Sequence, residues 1–162
     1  MATGFSPAFA QSSERLAQVN ERIAVSKMVA AARARAGAKW FYWIAGLSMV
    51  NSITVLTGGN FHFVVGLGIT SAVDGLAKRV GSAGSMLDMV INGFVAGVFI
   101  FLGTFAIKTK RWAFVIGMTL YALDGALLLR SRNYLSVGFH AFALYCIYNG
   151  YRSAKQVQAS MV

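Results

Sequence analysis

The chain has 162 residues, of which 57% are apolar and 12% charged, with a mean hydropathy of +0.60. An average soluble domain is about a quarter charged and a little under half apolar, so this composition excludes an ordinary soluble domain and suits membrane helices. The net charge of +10 arises from 15 Lys and Arg against five Asp and Glu; the basic residues gather at the ends of apolar runs, as membrane-flanking anchors do, and no nucleic-acid partner is expected.

Residues 1–39 form a polar, basic arm. Ser6-Pro7 fits a helix start, with proline at the first helical position. "ERLA" at 14–17 returns as "ERIA" at 21–24, and the seven-residue spacing sets Leu16, Ile23 and Ala30 on one stripe. The stripe is too short to argue for a coiled coil on its own. It predicts a helix lying on the membrane surface or on a partner, with Arg33, Arg35 and Lys39 near anionic lipid heads. The first fifteen residues lack the charged-then-apolar order of a secretory signal, so no cleavable leader is expected.

Four apolar runs follow, each long enough to cross a bilayer. Residues 40–56 open with the aromatic cluster WFYW, 86–107 end at KTKR, 112–129 end at RSR, and 134–151 are framed by tyrosines. Between the first two, residues 61–77 are two-faced: Val65, Ile69 and Val73 line one side, while Gly66, Thr70 and Asp74 line the other. That pattern suits an amphipathic or re-entrant helix better than a lipid-facing span. The sequence therefore predicts an all-α, polytopic helical membrane protein with four transmembrane helices, one amphipathic or re-entrant helix and an N-terminal surface helix. Its parts are the arm 1–39, the bundle 40–151 and a short polar tail 152–162.

Topology follows from the basic residues. Lys27, Arg33, Arg35, Lys39, Lys108, Lys110, Arg111, Arg152 and Lys155 fall on one side of a four-span chain, and Lys78, Arg79, Arg130 and Arg132 on the other. The positive-inside rule then places both termini in the cytoplasm of a multi-pass cell-membrane protein.

Polar residues inside the runs are costly in hydrocarbon, so they face the bundle interior or water. The set is Asn51, Asp74, Asp88, Asn92, Asp124 and His140, with Ser48, Ser52, Thr70 and Ser136 at helical spacing from them. Asp124, in the stretch YALDG, stands deepest: six residues before Arg130, roughly 9 Å along a helix. It needs a partner, and Asn92, His140 and Arg132 are the candidates. Asn51, Asn92 and His140 read first as interhelical hydrogen-bond glue. Small residues at i, i+4 (Gly93 with Gly97, Ala113 with Gly117) mark close helix contacts, expected within the chain.

No nucleophile–base pair, dinucleotide fingerprint, C-x-x-C-H haem attachment or metal-ligand spacing occurs, so neither an enzyme nor a cofactor is expected. His62 and His140 are weak candidates for axial ligands, and Cys146, the single cysteine, reads as a small core residue. Two functions fit. One is a non-enzymatic accessory or scaffold subunit, or a homo-oligomer, packed through Gly-rich helices against itself or other membrane chains. The other is a small ion- or proton-conducting protein with an intramembrane Asp/His seam.

Overall fold

A computed structural model describes residues 7–56, 82–130 and 134–159 of the chain. These form four helices: α1, Pro7–Leu56; α2, Ser82–Ile107; α3, Arg111–Arg130; and α4, Tyr134–Ala159. The amphipathic segment expected over 61–77, with His62, Thr70 and Asp74, lies outside the described residues, as does Arg132.

Each helix buries one stripe whose steps alternate between three and four residues. On α1 the stripe is Ala30, Ala34, Gly37, Phe41, Ile44, Ser48 and Asn51. On α2 it is Asn92, Ala96, Phe99, Gly103 and Ala106; on α3, Phe114, Gly117, Tyr121, Asp124 and Leu128. On α4 it is Ser136, His140, Ala143, Ile147, Gly150, Ala154 and Val157. A 3.5-residue repeat of this kind is what holds nearly parallel or antiparallel helices together along their length. The four helices accordingly form a ring in which α1 packs along α2 and α4, and α4 packs along α3; the α2–α3 seam is the loosest.

Small residues set how closely the helices approach. A Cβ placed on Gly37 would lie 2.5 Å from Gly150 Cα, so the α1 and α4 backbones touch there. Gly117 receives the ring of Phe41, whose Cε1 would stand 2.3 Å from an added Cβ. Ala113 is fully buried beside it in sequence, at 0% exposure.

The turn between α2 and α3 is closed by a Schellman pattern. The Thr109 N–H donates to Ala106 O (2.9 Å) and the Lys110 N–H to Phe105 O (3.1 Å), with Thr109 in the left-handed region at φ 58°. Gln158 Nε2, on the last turn of α4, donates to Thr109 O at 2.9 Å. Residues 152–159 are thus part of α4 and grip the turn, where the sequence suggested a polar tail. The expected break after residue 39 is also absent: α1 runs unbroken through it, because the charges of Arg33, Arg35 and Lys39 point outward and leave the helix intact. The packed part of α1 begins at Ala30, whereas residues 8–29 are exposed throughout and carry the helix beyond the bundle.

Two stretches are long and apolar enough to cross a membrane: Met89–Ile107 and Arg111–Leu129, each 19 residues. Only 33% and 39% of these stretches are buried in the bundle, so most of their apolar surface faces outward. The runs 40–56 and 134–151, expected as spans from the sequence, do not meet the same measure. Their hydropathy is diluted by Asn51 and the WFYW cluster in one, and by His140, Asn149 and four tyrosines in the other.

Candidate functional site

The interior polar residues collect at the end of the bundle opposite the α2–α3 turn. Asn51 and Ser48 come from the last turns of α1, Asn92 from the first half of α2, and Ser136 and His140 from the start of α4. Asp124 sits 13 residues into α3, about 20 Å from Arg111 along the helix. All are nearly fully buried, Asp124 at 6% exposure and His140 at 2%.

Asp124 and His140 are joined directly, His140 Nε2 lying 2.9 Å from Asp124 Oδ2. His140 Nδ1 lies 2.8 Å from Ser136 O, one turn back on α4. A carbonyl oxygen can only accept, so Nδ1 carries a hydrogen and donates it. One further proton lies between Nε2 and Oδ2, since two bare lone pairs would repel at that distance. Whether that proton belongs to nitrogen or oxygen, the pair is neutral as a unit, which is how a carboxylate is accommodated deep among apolar helices. YALDG carries its aspartate to meet His140.

Tyr121, one turn before Asp124, stacks on the imidazole with ring centroids 4.3 Å apart and planes 13° from parallel. Phe99 of α2 closes the other side edge-on, at 6.1 Å from Tyr121. These rings fix the imidazole plane and exclude water from it. Among the described residues, neither Tyr121 Oη nor Asn51 Oδ1 has a hydrogen-bond partner. From outside, Asp124 is reached along a cleft of about 290 Å³ in the loose α2–α3 seam, walled by Phe94, Val98, Phe99, Leu123 and Leu127.

Of the other residues singled out from sequence, Asn51 and Asn92 face the interior as stated, and Asp88 stands on α2 with its side chain outside the described set. Asp88 is the seventh residue of α2, which starts at Ser82. The expected packing at Gly93 and Gly97 is not seen: among the described residues nothing lies within 4 Å of either Cβ position. The buried stripe of α2 runs through Asn92, Ala96 and Phe99, which rotates both glycines to the outside. No group of three His, Cys, Asp or Glu comes together among the described residues. The Gly37–Gly150 contact was not singled out from the sequence: Gly37 has Arg33 and Phe41 at i±4, and the small-residue spacing of Gly150 with Ala154 acquires meaning only opposite Gly37.

Comparison with protein families, with curated proteins and with solved structures gives no match to this chain.

Proposed function

We propose that the chain is a multi-pass membrane interaction protein: a non-enzymatic scaffold or accessory subunit that embeds its four-helix bundle in the cell membrane and offers its N-terminal arm to another chain. In this reading all four helices cross, with segment 61–77 as an amphipathic helix and both termini cytoplasmic. The apolar exterior supports it. Val50 on α1, Phe94 on α2, Leu123 on α3 and Phe142 on α4 are 45 to 73% exposed, while the polar side chains point inward. Soluble monomers rarely expose contiguous apolar surface beyond a few hundred Å². The side-by-side packing of α1 and α4 with the two most apolar helices supports counting them as spans as well. The nine-to-four bias of basic residues supplies the orientation.

The observation that carries the interaction role is the arm. Counting back by sevens from Ala30 in the α1–α4 seam leads to Ile23, Leu16 and Phe9, all large and 46 to 64% exposed. The seam that packs on α4 thus continues for three more heptads past the last turn of α4. Most helical stability in proteins comes from tertiary packing of one face, and a second helix laid on the stripe would supply it here. The outward Gly93 and Gly97 offer a further close-approach face on α2. Extraction in mild detergent, with particle mass measured for the parent and for Leu16→Glu/Ile23→Glu, tests this. The parent is expected to exceed one chain in mass and the variant to fall to one; a strictly monomeric parent, with no other chain attached, overturns it.

A second reading is favoured by the Asp124–His140 pair behind the α2–α3 cleft: a proton path in which the shared proton moves between carboxylate and imidazole. Proton flux into liposomes that drops on Asp124→Asn supports that reading, and flux indistinguishable from empty liposomes removes it.

A further inference from the structure

We infer that the groove between α1 and α4, at the end of the bundle nearest the α2–α3 turn, is a binding site for the phosphate head of an anionic phospholipid. The inference rests on the membrane reading above and adds to it a defined ligand site. Next to the Gly37–Gly150 contact the side chains of the two helices diverge and leave a cavity of about 530 Å³. Arg33 of α1 and Arg152 of α4 both line it, together with Asn149, Ser153 and Gln156 of α4. Among the described residues no carboxylate lines it. The nearest acidic residue on α1 is Glu21, twelve residues before Arg33 and about 18 Å away along the helix, and Asp124 is engaged by His140. Two guanidinium groups with no counter-charge among the described residues of their cavity, beside amide and hydroxyl donors, are the donor set that binds phosphate oxygens.

The lower wall identifies the source of that phosphate as a lipid. Trp40 lines the cavity on the side toward the apolar part of the bundle and is braced edge-on against Phe142 at 5.4 Å. Beyond it Trp43 and Phe142, 63% and 54% exposed, continue an apolar surface down the same two helices. A ligand with an anionic head and acyl chains covers both; a soluble anion covers the first alone. The basic residues expected at the lipid heads therefore resolve into a pair from different helices, Arg33 with Arg152, while Arg35 and Lys39 lie outside the cavity.

The test uses the full chain in detergent, titrated with phosphatidylglycerol, with zwitterionic phosphatidylcholine of the same chain length, and with inorganic phosphate, read by native mass spectrometry and thermal protection. Phosphatidylglycerol is expected to bind preferentially. Arg33→Gln or Arg152→Gln should each weaken it about fivefold and the double variant about 25-fold, as one basic group at a lipid surface does. Arg35→Gln, exposed and outside the cavity, should leave it unchanged. Equal binding of the two lipids, equal protection by inorganic phosphate, or an equal loss in Arg35→Gln overturns the proposal. Retention of the chain in carbonate-washed membranes is scored separately: a chain that stays in membranes without lipid preference loses this site only, and one that washes off loses the membrane reading itself.

Discussion

Replacing Asp124 with leucine keeps the branched four-atom side chain in a bulkier form and removes the hydrogen-bond partner of His140, which is 2% exposed and cannot turn to water. His140 Nδ1 stays committed to Ser136 O, so the whole loss falls on Nε2. Leaving one buried polar group unpaired costs about 1–3 kcal/mol, rising to about 3–5 kcal/mol if the imidazole retains a charge. At about 3 kcal/mol, a chain of this length should lose roughly 6–12 °C in Tm. Asp124→Asn is the contrasting variant. Its amide N–H can donate to the Nε2 lone pair while Nδ1–H stays on Ser136, so the bond survives and the loss should stay near 1 kcal/mol. Thermal unfolding of both variants in one detergent, followed by tryptophan fluorescence, gives the comparison. The reasoning about the shared proton fails if asparagine is as damaging as leucine, and the pair itself is refuted if leucine unfolds no earlier than the parent.

Tyr121→Phe keeps the ring stacked on His140 and deletes a buried hydroxyl that has no hydrogen-bond partner among the described residues; it should be neutral or stabilising by about 1–3 kcal/mol, and a clear fall in Tm would show that the hydroxyl is engaged. Gly37→Ala sets a methyl against the Gly150 backbone, which cannot rotate away, and should cost about 1–3 kcal/mol in thermal unfolding. A Cβ at Gly97 meets no described residue, so Gly97→Ile should change stability by less than about 1 kcal/mol, while the particle mass falls if α2 contacts another chain; a large loss of Tm in the isolated chain would place Gly97 inside the bundle. Thr109→Gly relieves a β-branched residue held at φ 58° and should raise stability by about 1–2 kcal/mol, which unchanged unfolding would contradict.

Much of the bundle was legible because burial needs a period. The run boundaries at Leu56, Ile107 and Tyr134 coincide with helix boundaries, and the costly residues Asn51, Asn92, Asp124 and His140 face inward. His140 was one of three partners open to Asp124; choosing among them needed the register between α3 and α4, which neither helix encodes alone. The GxxxG spacing at Gly93 and Gly97 misled because it reports two small residues one turn apart and says nothing of which way they face. Phase relative to Asn92, Ala96 and Phe99 decides that, and it turns them outward. Continuity across residue 39 was hidden by a shift in composition. Such a shift changes what surrounds a helix without interrupting its backbone hydrogen bonds, so Arg33 to Trp40 read as a boundary and fold as a helix.

The embedding of all four helices is tested most directly by single cysteines at outward positions, one per helix: Val50→Cys, Phe94→Cys, Leu123→Cys and Phe142→Cys in a Cys146→Ser background. Each carries a fluorophore and is reconstituted in liposomes containing spin-labelled lipid. Four embedded helices require quenching by the lipid label at every position, with no protection lost to an aqueous quencher. Lipid quenching at positions 94 and 123 alone, with 50 and 142 open to the aqueous quencher, would contradict the four-span bundle.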